Sequence, residues 1–335
     1  MSRVPTVSVL MTSYNREAHI ADAIESVLAQ WYEDFELLIV DNCSTDRSVE
    51  IAREYATKDR RIRVHVNDRN LGQFGNRNRA AELARGVLMK YHDSDDLMYP
   101  HCLAVMVPPL LAEPRAGLGL SLSKDFPGGP CPMLLTPRMS YQRDFLSTDR
   151  MFLGGPACGL FRTDVFLKHG GFEDRGMPSD NLFWLKVCAR ENVLALPADL
   201  FWYRRHAGQL LASPQAAMQY TIVPGERLRA LDAAECPLTA EEREEARKGV
   251  VLQALKESLA DVRARRWNVA RARMRHVAEA LPEWRRYVRR PHRESLIGTP
   301  LDARGEFLVP DWKAFGEPAG AADSRHAAAV DGPHG

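Results

Sequence analysis

Residues 87–96 read Val87-Leu88-Met89-Lys90-Tyr91-His92-Asp93-Ser94-Asp95-Asp96. The hydrophobic start of this stretch predicts a buried strand, and the strand ends in three carboxylates within four positions. Carboxylates packed so closely repel one another, and burial raises their pKa values. A hard divalent cation with oxygen ligands relieves that repulsion. The alternative is a solvated acidic turn that leads into the next helix.

Strand and helix patterns alternate through the residues that precede this stretch. Strands are predicted at Val7–Met11, Phe35–Val40 and Ile62–Val66, and helices at 16–30, from Ser44 or Thr45 to Tyr55, and at 76–85, with Asn15 and then Ser44 or Thr45 as helix caps and a loop at 70–75. The fully apolar run 37–40 suits a parallel sheet buried on both faces. The order β-α-β-α-β-α-β predicts an α/β fold with a doubly wound, mostly parallel sheet flanked by helices. Such a sheet binds ligands at the carboxyl ends of its strands.

The middle of the chain continues the α/β pattern less clearly. A helix is predicted from Pro100 to Leu111, and residues 114–155, rich in Pro and Gly, predict loops with an edge strand or two. Beyond them the sequence predicts strands at Ala157–Phe161, Val193–Leu196 and Leu200–Tyr203, and helices at Thr163–Lys168 and Asp180–Arg190.

The C-terminal third is predicted to be helical. Ser213-Pro214 is a helix start, Pro224-Gly225 interrupts that helix, and Thr239–Glu242 is a capping box that opens a long helix. A further helix is predicted from Trp267 to Leu281. Residues 316–335 contain too few large apolar side chains to fold. We therefore predict domain 1–213 (halves 1–112 and 113–213), a helical appendage at 214–300 and an extended or disordered tail at 301–335.

Composition places the chain among ordinary globular proteins. It has 335 residues, 45% of them hydrophobic, and a net charge of +1, which does not suggest a nucleic-acid partner. The six cysteines are far apart and form no CxxC pair, which fits a reducing compartment. No stretch has the pattern of a signal peptide or of a membrane span. We expect a cytoplasmic location.

Three predicted strand ends should meet at one rim of the sheet. Thr12 and Tyr14 follow the first strand, Asp41 follows the second, and the 93–96 carboxylates follow the fourth. An aromatic ring can stack on a base, a carboxylate can accept from a base N–H, and a metal can bridge to a diphosphate. No GxGxxG follows the first strand and no GxxxxGK[ST] occurs, which disfavours a dinucleotide site and excludes a P-loop.

Four blocks of the sequence resemble the family 2 glycosyltransferases, and the first forty residues are similar to the bacterial spore-coat polysaccharide glycosyltransferase type. The blocks are Val7–Arg16, Ile24–Gln30, Phe35–Asp41 and Asp93–Asp96. The resemblance is clear over residues 5–110, moderate from 155 to 213 and absent beyond. It implies a GT-A fold whose first half binds a nucleotide-diphospho-sugar and whose second half shapes the acceptor site.

The resemblance also implies roles for residues of the donor site. Thr12 and Tyr14 would line the base pocket, and Asp41 would hydrogen-bond the base. An Asp-x-Asp element would hold Mg²⁺ or Mn²⁺ against the diphosphate. Asp93 and Asp95 have that spacing, and the adjacent pair Asp95-Asp96 also matches. We favour Asp95 over Asp96 as the direct metal ligand. Asp93 would bind either the metal or the sugar and ribose hydroxyls of the donor.

Arg77, Arg204 and His206 complete the donor site that the resemblance implies. Arg77 would reach a phosphate, unless it is an exposed helix arginine. Arg204 and His206 lie in a block that approaches the diphosphate or metal, His206 as a metal ligand; a solvated edge residue and a structural histidine are the alternatives.

The catalytic base of an inverting transfer must be a carboxylate that takes the proton of the acceptor hydroxyl. By resemblance this acid precedes an aromatic-rich helix, and Pro178–Leu185 fits with Asp180 as the base. A helix N-cap is the structural alternative for Asp180. Glu173 and Asp174 are the alternative acids.

We therefore predict an inverting, metal-dependent glycosyltransferase that moves a sugar from a nucleotide-diphospho-sugar to a hydroxyl of a saccharide or lipid-linked glycan, in surface polysaccharide or glycoconjugate synthesis. The rival functions are a sugar nucleotidyltransferase and a non-catalytic nucleotide- or carbohydrate-binding protein. A nucleotidyltransferase favours a Gly-rich phosphate loop near the N-terminus, which Met11–Tyr14 lacks.

The Arg-rich run from Arg263 to Arg293 is predicted to be a set of solvated helix faces. Its alternative is an electrostatic contact with anionic lipid on the cytoplasmic face of a membrane, or with a polyanionic acceptor.

Overall fold

The structure is a computed structural model that describes residues 4–121, 131–147, 150–206, 209 and 214–288. Predictions for Ser213, for residues 207–208 and for the tail at 301–335 lie outside the described residues. Met1–Tyr287 fall in one structural unit.

Ten strands form one large sheet and one small one. Their bounds are β1 (Val7–Ser13), β2 (Phe35–Asp41), β3 (Ile62–Val66), β4 (Leu88–Asp93), β5 (Leu97–Met98), β6 (Ala116–Ser121), β7 (Met133–Leu135), β8 (Gly159–Arg162), β9 (Asn192–Leu196) and β10 (Phe201–Trp202). The large sheet has the order β3-β2-β1-β4-β8-β6-β9-β7, and β5 pairs with β10. Strands β3, β2, β1 and β4 are parallel, and β8 is antiparallel to both of its neighbours. This confirms the predicted mostly parallel α/β sheet.

Eleven α-helices are described around the sheets. Their bounds are α1 (Ile20–Leu28), α2 (Ser48–Lys58), α3 (Gly72–Leu83), α4 (Cys102–Ala112), α5 (Pro137–Leu146), α6 (Thr163–Lys168), α7 (Ser179–Cys188), α8 (Pro214–Gln219), α9 (Val223–Asp232), α10 (Ala240–Arg263) and α11 (Trp267–Ala280). The predicted capping box is present at the start of α10, where Thr239 and Glu242 exchange hydrogen bonds.

Several predicted helix boundaries were wrong, because side chains at the sheet rim bond across loops. Asn15 does not cap α1; it has a φ of 52° and its side chain accepts from the backbone N–H of Thr45. The second helix begins at Ser48, so neither Ser44 nor Thr45 caps it, and Asp46 accepts from the Ser48 N–H. Helix α3 begins at Gly72, inside the predicted loop, and α5 was not predicted.

The large sheet buries both faces, as its apolar strands predicted. On one face Val9, Met11 and Ile39 pack with residues of α1 and α4. On the other face Leu38 and Met89 pack with a second cluster that also contains aromatic side chains from β8, α6 and α7. The ligand-binding rim therefore rests on strands that are fixed on both sides.

The C-terminal helices share the second of these cores. Leu228 of α9, Val251 of α10 and Val277 of α11 are buried in the same cluster as Trp184. A buried ion pair joins Arg227 Nη1 to Asp144 Oδ2 of α5 at 2.5 Å. The helical region thus packs against α5 and α7, which lie on one face of the large sheet.

Candidate active site

The ends of β1, β2 and β4 form one rim, as the sequence predicted. Thr12 is in register with Asp93 on one side and with Val40 on the other, and Ser13 is in register with Asp41. The Ser94 hydroxyl donates to the Thr12 carbonyl at 2.9 Å and ties the turn after β4 to β1. Hydroxyl and carboxylate groups therefore lie along one edge of the sheet.

Asp41 and Tyr14 differ in exposure on this rim. Asp41 is buried, and its carboxylate accepts from the Ser44 N–H at 2.8 Å and from the Ser44 hydroxyl at 2.6 Å. Tyr14 is 45% exposed, so part of the residue is open to solvent. A fixed carboxylate such as that of Asp41 can accept a hydrogen bond from a planar heterocycle. An aromatic ring such as that of Tyr14 can stack on the same heterocycle.

Arg77 projects from α3 into the interior beneath the acidic stretch. Its Nη2 donates to Asp93 Oδ1 at 2.7 Å, and the residue is 4% exposed. Its Nε and Nη1 atoms are buried with no hydrogen-bond partner. Burial acts to raise the pKa of Asp93, but the charge and hydrogen bond of Arg77 outweigh it, so that pKa lies below its usual value. Arg77 is therefore not an exposed helix arginine, and it retains unused donors.

Asp95 is held between two basic side chains. Its Oδ2 accepts from Arg16 Nε at 2.9 Å and lies 3.0 Å from His206 Nε2. The His206 ring also packs on His19, with ring centroids 4.5 Å apart. Positive and negative groups thus meet at the mouth of the rim.

Asp96 points inward and differs from Asp95. It is buried, and its Oδ1 accepts from the backbone N–H of Arg204 at 3.0 Å. Arg204 Nε donates to the Asp95 carbonyl, and its Nη2 pairs with Asp22 at 2.9 Å. Burial raises the pKa of Asp96 to about 7, and the neighbouring Asp93 charge adds to the rise. Asp96 anchors the segment that carries Arg204 and His206.

Asp180 lies in the first turn of α7, one residue after the helix begins, so it is not the N-cap. Its helix is fixed by Trp184, which stacks on Phe161 at 5.5 Å and donates to the Gly154 carbonyl, and by Asn181, which donates to the Phe152 carbonyl. Stacked aromatic pairs add to the burial energy of their rings.

The carboxyl of Asp180 faces the turn around Gly155, where an added Cβ would lie 3.9 Å from its Oδ2. Burial raises its pKa to about 6, and the Arg77 charge acts in the opposite direction. Since the Asp93 charge also acts on this pKa, Asp180, Arg77 and Asp93 are electrostatic neighbours.

The structure places most of the predicted site residues in two groups of neighbours. Arg77, Asp93 and Asp180 are neighbours, as are Asp95, Asp96, Arg204 and His206. The alternative acids Glu173 and Asp174 are exposed. Within the described ranges, no three His, Cys, Asp or Glu side chains are arranged to hold a metal ion.

Arg16 and His19 were not singled out from the sequence. Arg16 follows Tyr14 in the same rim loop, so a basic residue opposite the acidic stretch was a signal that could have identified it. His19 becomes visible only through its ring contact with His206.

The fold is that of the GT-A glycosyltransferases. A crystal structure of Staphylococcus aureus TarS residues 1–349 in complex with UDP-GlcNAc matches with a TM-score of 0.59 at 19% identity, covering 84% of this chain and 81% of that one. A mannosyltransferase of Pyrobaculum calidifontis in complex with GDP-Man and Mn²⁺ matches with a TM-score of 0.56 at 18% identity, covering 84% of this chain and 78% of that one.

The sequence match identifies one family within the GT-A glycosyltransferases. Residues 8–170 match the model of glycosyl transferase family 2, so this part of the chain belongs to that family. A relative from Bacillus subtilis, named "Putative teichuronic acid biosynthesis glycosyltransferase TuaG", is 42% identical over 92 residues, which cover 28% of this chain and 36% of that protein. Across eight curated relatives the match spans between 12 and 39% of their length.

None of the helices in the described part of the chain is both long and apolar enough to cross a membrane.

Proposed function

We propose that the chain is an inverting, metal-assisted glycosyltransferase that moves a sugar from a nucleotide-diphospho-sugar onto a hydroxyl of a saccharide or lipid-linked glycan. The observation that carries this proposal is the grouping of Asp180, with a pKa of about 6, beside Arg77 and Asp93 at the rim of a family 2 domain. A base for the acceptor and cations for the leaving group are what such a transfer requires.

The donor's nucleotide is assigned to the ends of β1 and β2. Tyr14 is partly exposed and offers an aromatic ring, and Asp41 offers carboxylate oxygens already fixed by Ser44. Thr12 lies between them and Asp93. The two solved neighbours contain UDP-GlcNAc and GDP-Man, which makes these the first donors to test.

The donor set at the rim fits Mg²⁺ or Mn²⁺. These ions prefer carboxylate oxygens, and Mg²⁺ usually takes one or two carboxylates plus waters and substrate phosphates. Asp95 and Asp93 would hold the ion, with His206 as a further ligand and Asp96 as an alternative to Asp95. Bound there, it would neutralise charge on the diphosphate.

The leaving diphosphate gains negative charge as its bond to the sugar breaks. Two buried nitrogen atoms of Arg77, Nε and Nη1, have no hydrogen-bond partner, which suits charge-assisted hydrogen bonds to a phosphate. Arg204 supplies a further donor beside Asp95. These groups are fixed before the reaction and therefore need little reorganisation.

Asp180 acts as the general base. Its carboxylate takes the proton of the acceptor hydroxyl while that oxygen attacks the anomeric carbon from the face opposite the leaving group. The bond between the anomeric carbon and the diphosphate oxygen breaks, and its electron pair stays with the diphosphate. A base with a pKa of about 6 is deprotonated at neutral pH yet stronger than an ordinary aspartate.

A thermal-shift panel of nucleotide sugars tests the donor and metal assignments. We expect one nucleotide sugar to raise the melting temperature, and to do so only with Mn²⁺ or Mg²⁺, since a ligand that binds the native state stabilises it. Stabilisation by nucleoside triphosphates alone, with pyrophosphate release, would instead identify a nucleotidyltransferase.

A cytoplasmic location and a peripheral membrane contact are further parts of the proposal. All six cysteines are unpaired, as is usual in a reducing compartment. The end of α10 exposes Arg263, and the turn that follows exposes Arg265, close in sequence to Trp267, which is 63% exposed. Basic residues with an exposed Trp suit an anionic lipid surface. Flotation with phosphatidylglycerol vesicles, but not with phosphatidylcholine vesicles, is expected and should be lost in Trp267→Ala.

A further inference from the structure

A cavity of about 210 Å³ lies where the helical region meets the segment before α7. Its walls come from residues 150–153, from the turn Tyr220–Ile222, from α7 and from α9 to α11. The polar side chains that line it are Arg150, Asn181, Tyr220, Arg227, Gln253, Glu257 and Arg273. Three guanidinium groups and only one carboxylate, that of Glu257, therefore line this cavity in the described part of the chain.

The three arginines are not equally neutralised. Arg227 pairs with Asp144, and Arg273 pairs with Glu257 at 3.0 Å and with Asp261 at 2.7 Å. Arg150 makes no hydrogen bond or ion pair with any described residue, although it is partly buried. One cation of this cavity is thus left without an acidic partner in the described part of the chain.

The surroundings of Arg150 are unfavourable to its charge. Burial lowers the pKa of its guanidinium, and the neighbouring charge of Arg227 lowers it further, while Asp144 and Glu257 only partly oppose them. An unpaired cation beside a second cation is costly to bury unless an anion binds there. The side chain of Arg273 also has a buried Nε without a partner.

The cavity adjoins the base of the proposed reaction. Asn181 lines it and directly follows Asp180, and Leu153 lines it just before the Gly154-Gly155 turn that faces Asp180. Tyr220 lines it too, and its pKa is raised to about 12 by burial first and then by the charge of Asp180. A ligand in this space would therefore lie beside the segments that hold Asp180.

We propose that this cavity binds an oxyanion group carried by the acceptor, a phosphate or a carboxylate, and so presents the acceptor hydroxyl to Asp180. This inference rests on the proposed glycosyl transfer and adds to it the class of acceptor, an anionic glycan or polyol. A cavity of about 210 Å³ has room for a phosphate or a carboxylate. Guanidinium groups bind both oxyanions in bidentate geometry.

Binding of small oxyanions to the full chain tests the proposal directly. The protein is first given UDP and Mn²⁺, so that the diphosphate site is filled, and is then titrated calorimetrically with inorganic phosphate, glycerol 1-phosphate and glucuronate. We expect at least one probe to bind, with glycerol 1-phosphate and glucuronate separating a phosphate from a carboxylate preference. Absence of binding by all three probes would overturn the proposal.

Three variants assign the binding to this cavity. Arg150→Gln should weaken binding about tenfold or more, since a charge-assisted hydrogen bond is lost. Leu153→Glu should weaken it as well by repulsion; Leu153 is 56% exposed, so the change does not disturb a core. Arg275→Gln, on an exposed position of α11, should bind as the wild type does. Undiminished binding in both Arg150→Gln and Leu153→Glu would overturn the assignment.

Donor hydrolysis on the same preparation separates the two proposals. Hydrolysis without oxyanion binding contradicts only the acceptor class. Oxyanion binding at Arg150 without hydrolysis or transfer contradicts the proposed transferase activity and leaves the anion site standing.

Discussion

Arg77 Nη2 donates to Asp93 Oδ1 at 2.7 Å, while Arg77 Nε and Nη1 remain buried without partners. The arginine lies on α3 and the aspartate at the end of β4, so one ion pair connects two elements of the rim. Because Asp180 acts on the same guanidinium, the pair also links the predicted donor site to the predicted base.

Arg77→Lys should impair donor binding and reduce stability. A lysine keeps the charge but loses the planar fork of donors, so we expect the donor KM to rise about tenfold. The free energy of unfolding should fall by about 1.5–3 kcal/mol, the usual worth of a hydrogen bond to a charged group. Urea unfolding and initial rates measure both effects. Arg79→Lys, at a half-buried position of the same helix, is the control, and equal effects in the two variants would contradict this role.

The activity should fall as the pH falls through about 6. Asp180 acts as a base only when deprotonated, and its pKa is raised to about 6, so transfer is present above that pH and lost below it. An aspartate with an ordinary pKa would keep the enzyme active to about pH 4. The acid limb of kcat/KM measures this. The pKa of Asp96 is also raised, to about 7, so Asp96→Asn is the control. The acid limb should persist in Asp96→Asn. If the acid limb disappears in that variant, the titrating group is Asp96 and not Asp180.

Asp95→Asn and Asp96→Asn should differ in severity. Asp95 lies between Arg16 and His206 at the mouth, so its loss should lower metal-dependent donor turnover by about a hundredfold or more. Asp96 accepts from the Arg204 N–H, a bond that an asparagine oxygen can also accept, so its loss should cost about tenfold at most. Donor hydrolysis against Mn²⁺ concentration measures both, and a more severe Asp96→Asn would reverse the assignment.

Asp144→Ala should destabilise the whole described unit. Asp144 is fully buried, pairs with Arg227 and accepts from the Phe152 N–H, so its removal leaves a buried charge and a buried donor unpaired. We expect a loss of about 3–5 kcal/mol with a single unfolding transition, because α9 and α5 share one core. Glu235→Ala, which removes an exposed pair with Arg190, should cost at most about 1 kcal/mol. Two separate transitions would show that the helical region folds independently.

The rim of the site could be predicted from the sequence because each of its residues directly follows a recognisable strand pattern. Apolar runs such as Leu37–Val40 mark strands, and the polar residues after them must lie at the carboxyl edge of a parallel sheet. Thr12, Asp41 and Asp93 were placed correctly at that edge for this reason. The apolar and aromatic pattern after Asp180 likewise predicted α7.

The remaining features depend on contacts between distant positions. Arg16 and Asp95 meet across 79 positions of the chain, and Arg227 and Asp144 across 83. Local patterns carry no information on such pairs. The positive φ of Asn15 likewise follows from its bond to Thr45, thirty residues away, and not from its own propensity as a cap.

The most direct measurement is transfer itself, by wild type and Asp180→Asn, from each candidate nucleotide sugar with Mn²⁺. Nucleotide release and the anomeric configuration of the product are followed by NMR. The proposal predicts release by the wild type with inversion at the anomeric carbon, and loss of at least about a hundredfold in a folded Asp180→Asn. Retention of configuration, or full activity in Asp180→Asn, would contradict it.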